Sequence, residues 1–479
     1  MNYTDDTLPD NINLLKEIIL QQAEKNKILS EKISILEEFI RLSKQQKFSS
    51  SSEKDSRQGE LFNEAEATAE NENITEEIDS AADEKPVIEN ASRKNKPVRK
   101  PLPADLPRIQ HVYELPLEQR QCACGCTLTE IGEDISEQLD IVPAQLRVIQ
   151  NVRKKYACKA CEDTVKTADR LEQFLPKSNA SPNTLAYVII NKYQDGLPLY
   201  RLSNIFQRMD IDLSRQTLSG WMINAAQRLQ PVTQHLQKTL LQSSLIHLDE
   251  TRVQVLREPD KAAQSQSYMW VQKSRESGKS IVLFHYDSSR SGQVPLRLLD
   301  DYRGALMTDG YEGYNAVVSK NKLTHLCCMA HARRKFVDAK KALPAKTKSG
   351  KIDVGISVFA KLYAIEQQHK NSDSETRYHA RQQHSLPLLL QFKNWLDQTQ
   401  ANVLPKGKLG EAMAYAQKYW RKLTRYVENG DWPIDNNAAE NAIRPFVIGR
   451  KNWLFSNTVK GADASATLYS LIETAKANG

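Results

Sequence analysis

The feature that most constrains the fold is a change of pattern near residue 244. Downstream of it, five short runs are β-branched or alternate between apolar and polar residues, and most are bounded by Gly, Ser or charged turns. Such runs are typical of strands, and they span residues 245–256, 268–272, 281–286, 305–308 and 323–328. Because helices are predicted at 292–300 and 330–341, we expect an α/β core here.

The pattern becomes helical again over residues 352–428, where Phe359, Leu362 and Tyr363 share one face. A last helix is predicted to begin near Asn437, with Asp435 as its candidate cap. The chain has 479 residues, which is enough for two to four domains.

Residues 176–240 are predicted to form a helical domain that contains a candidate helix–turn–helix. Its helices would span 199–207 and 214–223, with Ser214 as the N-cap of the second. Recognition helices meet base edges with their first turn, and here that turn contains Arg215, Gln216 and Thr217. Two packed helices without any DNA contact are an equally common alternative.

A heptad pattern occupies residues 8–43, with Ile at most a positions and Leu at most d positions. This combination favours a parallel two-stranded coiled coil, and an Asn at one a position, Asn26, fixes its register. We therefore expect self-association through this segment. The alternative is an amphipathic helix packed on its own chain.

The segment 44–107 is Ser-rich, then acidic, then basic, and this composition predicts a disordered linker. Its residues 60–90 contain eleven acids and one base, a net charge of −10, so the total of +7 leaves +17 elsewhere. A basic body beside an acidic linker suggests a polyanionic partner, with an ordinary solvated surface as the alternative.

Composition predicts a soluble, cytoplasmic protein. Apolar residues make up 40% and charged residues 26%, and no segment approaches the ~20 apolar residues that a membrane helix needs. The seven cysteines exclude a disulfide scaffold and favour a reducing compartment.

Five of the seven cysteines cluster within a predicted small domain, residues 108–175: Cys122, Cys124, Cys126, Cys158 and Cys161. The Cys-x-x-Cys spacing of the last two is that of a metal knuckle, and a group about 30 residues upstream completes a tetrahedral thiolate site. We expect structural zinc on four of the five, with the choice between Cys122 and Cys126 open. Free buried cysteines are the alternative.

The remaining cysteines, Cys327 and Cys328, lie near His331 at a predicted strand-to-helix junction. The spacing Cys328-x-x-His331 is compatible with metal binding, but core packing is the more common role of such residues at a junction.

Three carboxylates stand in positions that favour metal chemistry. Asp249 lies within a strand, where a carboxylate is costly unless it binds a cation or finds donors. Asp309 follows a strand, and Glu440 lies in the first turns of the last helix. Acids on adjacent elements can hold two magnesium ions for phosphoryl transfer. The alternatives are a common turn at Asp309-Gly310 and an ion pair between Asp249 and Arg252. For Glu440 they are a favourable charge at the helix N-terminus or an ion pair with Arg444.

Basic residues flank these acids and are candidates for a phosphate-binding rim, with a solvated face as the alternative. They are Arg333, Arg334, Lys335, Arg444, Arg450 and Lys451.

Longer motifs occur along nearly the whole chain. They are Ser51-Ser-Glu-Lys54, Leu61-Phe-Asn-Glu64, Pro101-Leu-Pro-Ala-Asp-Leu-Pro107, Ile131-Gly-Glu-Asp-Ile-Ser-Glu-Gln-Leu-Asp140, Lys155-Tyr-Ala-Cys158, Asp309-Gly-Tyr-Glu-Gly-Tyr314, His331-Ala-Arg-Arg-Lys-Phe336, Asp435-Asn-Asn-Ala-Ala-Glu440, Ile443-Arg-Pro445, Gly449-Arg-Lys-Asn-Trp-Leu-Phe455 and Leu471-Ile-Glu-Thr-Ala-Lys476. In these motifs and in their order, the chain resembles the transposases of bacterial insertion-sequence family 66.

The resemblance implies a ribonuclease-H-like core of mixed sheet at 241–479, with a helical insertion at about 345–430. It places the Asp-Asp-Glu triad on Asp249, Asp309 and Glu440, which bind magnesium or manganese. It also implies hydrolysis at transposon ends, 3′-hydroxyl strand transfer into target DNA, and accessory proteins from the same element. The multidomain α/β chain would thus begin with a coiled coil, a zinc domain and a helical DNA-binding domain.

The sequence departs from the family pattern in two places. Gln121 stands where many members have the first Cys of a Cys-x-x-Cys pair, and the chain stops at Gly479, where members usually continue. We therefore keep a non-catalytic, truncated DNA-binding remnant as the alternative function.

Overall fold

The computed structural model describes two compact units, Met1–Ser80 with Glu172–Gly479, and Ala81–Leu171. The described residues are 11–48, 108, 110, 146–157, 165–169, 172–274, 279–344 and 350–479. In the second unit, strand β1 (Lys155–Ala157) pairs antiparallel with β2 (Val165–Thr167). The five clustered cysteines and nearly all of the predicted linker lie outside the described residues.

Helix α1, Ile12–Phe48, covers most of the heptad segment. Large apolar side chains along it are exposed, including Ile19 at 64% and Ile33 at 56%. Its later turns contact the same unit, because Arg41 Nε donates to the Ala342 carbonyl at 2.7 Å and Glu38 Oε2 accepts from Lys408 N at 2.8 Å. The helix therefore has an exposed apolar stripe and a polar attachment near its end.

The helical segment that follows comprises α2 (Pro182–Tyr193), α3 (Leu199–Gln207) and α4 (Arg215–Leu240). The Ser214 hydroxyl accepts from the Thr217 backbone N–H at 3.1 Å, which is the predicted N-cap. The candidate helix–turn–helix is present as α3 and the start of α4, but α4 continues well beyond the predicted end at residue 223.

The described strands of the main unit form one six-stranded mixed sheet. Its order is β5-β4-β3-β6-β7, and β8 pairs with the end of β3. β3 pairs antiparallel with β4, which pairs antiparallel with β5, whereas β6, β7 and β8 join in parallel. The strands are β3 Leu245–Arg257, β4 Gln266–Ser274, β5 Val282–Asp287, β6 Ala305–Thr308, β7 Thr324–Cys327 and β8 Ser456–Thr458.

Both faces of the sheet are covered by helices. Successive side chains of a strand point to opposite faces, so one strand contributes to both cores. In β4, Met269 and Val271 join one core with Phe284 and the terminal helices. Trp270 between them joins the opposite core. The helices that provide these layers are α5 Gln293–Leu298, α6 Asn315–Asn321, α13 Asn437–Trp453 and α14 Val459–Ala477, together with α4.

A third core lies under α7, Met329–Ala342, where the predicted helical insertion packs. Phe336, Phe359 and Phe392 meet there with ring centroids 5.4–6.1 Å apart. The insertion consists of α8 Gly350–Gln368, α9 Ser374–Ala380, α10 Leu386–Gln400, α11 Lys408–Lys418 and α12 Trp420–Thr424. Among the described residues, none of the helices is long and apolar enough to cross a membrane.

Candidate active site

Asp249 and Asp309 lie level with each other on neighbouring parallel strands. The register of β3 and β6 pairs Leu245 with Ala305 and His247 with Met307. Continuing this register by two residues brings Asp249 beside Asp309, just past the end of β6. Both side chains are partly exposed, so their oxygens can reach a ligand from solvent.

A tight turn fixes the second acid. The Asp309 carboxylate accepts the Tyr311 backbone N–H at 2.8 Å, and the Asp309 carbonyl accepts the Tyr415 hydroxyl at 2.7 Å. Gly310 has φ +92°, a left-handed conformation that favours glycine. A Cβ there would also lie 3.4 Å from Cys327 Sγ. The turn at Asp309-Gly310 and a site role for Asp309 are therefore compatible.

Glu440 reaches the same place from α13 through a fully buried neighbour, Asn436. The Asn436 side chain donates to the Leu248 carbonyl at 3.2 Å and lies 2.9 Å from His247 Nδ1. Its own carbonyl accepts the Glu440 N–H at 3.2 Å. The start of α13 is thus bonded to the β3 residue next to Asp249, and Glu440 follows one helical turn later.

Asp249, Asp309 and Glu440 interact with one another electrostatically. Burial raises the pKa of Asp249 well above its ordinary value, and the negative charges of Glu250, Glu440 and Asp309 raise it further. Burial likewise raises the pKa of Glu440, which Arg334 opposes, while Asp435 and Asp309 add to the rise. Clustered carboxylates of this kind are stabilised in the charged form by a cation.

The donor set fits magnesium or manganese. Carboxylate oxygens are the ligands that these hard cations prefer. Glu440 Oε1 is buried and has no hydrogen-bond partner among the described residues. Asp249, Asp309 and Glu440 could therefore hold such an ion between them.

A second cluster beside the acids was not found from the sequence. Glu250 accepts hydrogen bonds from Arg290 Nε at 2.7 Å and from the Tyr314 hydroxyl. The Arg290 guanidinium lies 4.0 Å from the centroid of the Tyr311 ring and interacts electrostatically with Asp309. The available signal was Glu250 next to Asp249 and the two tyrosines in Asp309-Gly-Tyr-Glu-Gly-Tyr314. The arrangement holds a half-exposed guanidinium at the edge of the site.

Two residues of the predicted basic rim lie beside Glu440 or beside the strand that carries Asp249. Arg334 Nη2 lies 3.5 Å from Glu440 Oε2, and Arg450 Nη1 lies 3.5 Å from Thr251 Oγ1. Two rim residues, Lys335 and Lys451, are exposed, and Arg444 is partly exposed.

Arg333 does not belong to this rim, since it is only 6% exposed. It shares a face of α7 with Met329 and Phe336, three or four residues away, and that face packs inward. Arg333 is therefore a residue of the inward face of α7 and not one of the predicted surface contacts.

The other predicted contacts, Arg215, Gln216 and Thr217, are exposed in the first turn of α4, on a different element from the acids. Cys122, Cys124, Cys126, Cys158 and Cys161 lie outside the described residues, so the zinc site stays a prediction.

His331 and Cys328 border the acids as well. Burial and the charge of Arg334 lower the pKa of His331 to about 4. Burial raises the pKa of Cys328 well above its ordinary value, and Asp435 and Glu440 add to the rise. Both side chains are therefore uncharged at neutral pH.

Family profiles match three parts of the chain. The profile described as "Transposase IS66 family" covers residues 177–464. The profile described as "zinc-finger binding domain of transposase IS66" covers 119–162, which includes all five clustered cysteines. The profile described as "Transposase C of IS166 homeodomain" covers 35–110, across the end of the heptads and the predicted linker.

Similar proteins include three uncharacterized proteins of Sinorhizobium fredii. The one named y4jD is 33% identical over 390 residues, which cover 79% of this chain and 75% of that protein. The one named y4hP is 31% identical, and the match covers 80% of this chain and 72% of that protein. The one named y4qI is also 31% identical, and the match covers 84% of this chain and 77% of that protein. With a family profile over more than half of its length and such relatives along most of it, the chain belongs to the IS66 family of transposases.

Proposed function

We propose that the protein is a DNA transposase with a ribonuclease-H-like core in which Asp249, Asp309 and Glu440 form the catalytic triad. The observation that carries the proposal is the convergence of the three acids, two by strand register and one through Asn436. Further support comes from the sheet, in which three antiparallel strands are continued by two parallel ones and the acids lie on β3 and just after β6.

The reaction has two steps at phosphorus. In the first, a water oxygen attacks a phosphodiester at the transposon end, and the bond from phosphorus to the 3′ oxygen breaks. In the second, the freed 3′-hydroxyl attacks a target phosphodiester and displaces the target's own 3′ oxygen. Neither step needs ATP or a covalent enzyme–DNA intermediate.

The chain's own residues divide the work. The three acids would hold the divalent cations, which would supply charge stabilisation to the attacking and leaving oxygens. Arg290 and Arg334, held beside the acids by Glu250 and Glu440, position the phosphate through charge-assisted hydrogen bonds.

The remaining elements would bring the DNA and a second protomer. The cysteine cluster would hold structural zinc, and the exposed start of α4 would contact double-stranded DNA at the ends. The exposed apolar stripe of α1 would pair with a second copy, so that two ends are held together. Accessory proteins of the same element would act with this assembly in the bacterial cytoplasm.

The test is magnesium-dependent cleavage of end-containing DNA by full-length protein with Asp249→Asn, Asp309→Asn or Glu440→Gln. The matched control is Asp300→Asn, because Asp300 is exposed and pairs only with Lys320 among the ion pairs of the described residues. We expect cleavage to fall by at least about a hundredfold in each triad variant, with DNA binding retained. Intact end binding without cleavage by the unaltered protein would instead indicate a non-catalytic remnant.

A further inference from the structure

A mixed set of ligand atoms lies beside the three acids, where β7 ends and α7 begins. One ligand atom each of Cys328, His331 and Glu440 all lie within 4.8 Å of one another. Cys328 is fully buried, and the Glu440 side chain is 4% exposed. The His331 side chain is 28% exposed, so its imidazole borders a route from solvent into the cluster.

Two of these atoms are buried without a hydrogen-bond partner in the described part of the chain. They are His331 Nδ1 and Glu440 Oε1, which face each other at 3.5 Å. A buried polar atom without a partner costs about 1–3 kcal/mol. A cation bound between the two atoms would satisfy both.

A hydrogen bond orients the Cys328 sulfur, which accepts the Asn436 backbone N–H at 3.2 Å. A metal ion binds cysteine as the thiolate and displaces the thiol proton. The adjacent Cys327 is equally buried but does not belong to the cluster, and this makes it a matched control.

Sulfur, nitrogen and oxygen donors together differ from the all-oxygen set that magnesium prefers. Zinc binds Cys, His and Glu at about 2.0–2.3 Å, which places tetrahedral neighbours roughly 3.3–3.8 Å apart. Small side-chain movements would bring the three ligand atoms from within 4.8 Å of one another to the spacing that zinc requires. We propose that Cys328, His331 and Glu440 form a binding site for zinc, with a fourth position open to water.

The site has a consequence for catalysis because Glu440 belongs to both donor sets. Zinc at Cys328 and His331 would withdraw Glu440 from magnesium, so zinc would inhibit the reaction. This consequence rests on the proposed function, whereas zinc binding itself does not.

The binding test uses full-length protein whose cysteine cluster has first been filled with one equivalent of zinc. Cobalt(II) is then titrated as a spectroscopic substitute, and the visible absorption of tetrahedral cobalt with a thiolate ligand is followed. We expect one further equivalent to bind in the unaltered protein and in Cys327→Ser. Cys328→Ser should lose the thiolate band, and His331→Ala should bind at least about tenfold more weakly.

Identical titrations of the unaltered protein, Cys328→Ser and His331→Ala would overturn the site. Thermal unfolding of each variant checks the fold. Because His331 is partly exposed and Cys328 is fully buried, His331→Ala is the less disruptive substitution. The activity arm measures the zinc concentration that halves magnesium-dependent cleavage, which should rise at least about tenfold in His331→Ala relative to Cys327→Ser.

The two arms separate the two proposals. Binding of the second cobalt equivalent without any cleavage activity would refute the transposase chemistry and support the metal site. Cleavage that depends on the three acids, without binding of the second cobalt equivalent, would support the transposase chemistry and refute the metal site.

Discussion

At the level of single residues, the acids of the site repel one another, and a bound cation would reduce this repulsion. Burial and three neighbouring acids raise the pKa of Asp249. Burial, Asp435 and Asp309 raise the pKa of Glu440. The folded-state pKa values of both acids are therefore above those of the unfolded chain. Their contribution to stability is present at low pH and is lost as pH rises through the raised values.

This sign gives a prediction for Asp249→Asn. Without added magnesium, the unaltered protein should lose stability as pH rises from about 4 to neutrality, and the variant should lose less. Saturating magnesium should reduce the difference in stability loss between the two proteins, because the cation binds the charged carboxylate of Asp249. The measurement is thermal unfolding across pH. Parallel stability curves for the two proteins would show that Asp249 carries no raised pKa in the folded state.

Asn436 is the residue that we expect to position Glu440. Asn436→Ala removes the bonds to Leu248 and His247, at a cost of about 1–3 kcal/mol in the free energy of unfolding. We also expect cleavage to require more magnesium, by about tenfold, because Glu440 loses its tie to β3. The control is Asn441→Ala on the exposed side of α13. An unchanged magnesium requirement would show that Asn436 is purely structural.

Among the secondary-structure elements, the local sequence pattern correctly predicted those whose structure depends on residues close in sequence. The predicted strands 245–256 and 305–308 match β3 and β6 closely, and Ser214 caps α4 as expected. The local pattern did not predict features that depend on contacts between residues far apart in sequence. The pairing of Glu250 with Arg290 and Tyr314 spans 40 and 64 residues, and no local spacing signals it.

The helical insertion contains another contact of this kind. Arg381 is 2% exposed, forms two hydrogen bonds with Glu366 at 2.8 and 2.6 Å, and donates to the carbonyls of Tyr426 and Asn429. Arg381→Ala would leave the partly buried Glu366 carboxylate without its cation and would empty a buried site, so we expect a loss of about 3 kcal/mol in denaturant unfolding.

The exposed pair Lys393–Asp397 provides the comparison for this measurement. Lys393→Ala should change the free energy of unfolding by about 0.5 kcal/mol or less. Equal effects of the two substitutions would refute the role of Arg381 as a buried anchor of the insertion.

At the scale of the whole molecule, the N-terminal helix combines both sequence alternatives. Its later turns attach to the unit through Glu38 and Arg41, as a helix packed on its own chain would. Its apolar stripe nevertheless remains exposed, which leaves a surface for a second copy.

We therefore predict that the double variant Ile19→Glu with Ile33→Glu shifts the protein from dimer to monomer in sedimentation equilibrium. Charges at two a positions would be buried in the paired coil, which is strongly unfavourable. The control Glu24→Gln lies on the opposite face of the heptad and should leave the assembly unchanged. A monomeric unaltered protein would contradict the prediction.

We expect one centre, built from Asp249, Asp309 and Glu440, to carry out the chemistry on DNA. The decisive experiment is strand transfer of a pre-cleaved transposon end with a free 3′-hydroxyl, in magnesium, by the unaltered protein and the three triad variants. The unaltered protein should join the end to target DNA, and every variant should lose joining by at least about a hundredfold, with end binding intact. Near-normal joining by any one variant would rule out this triad.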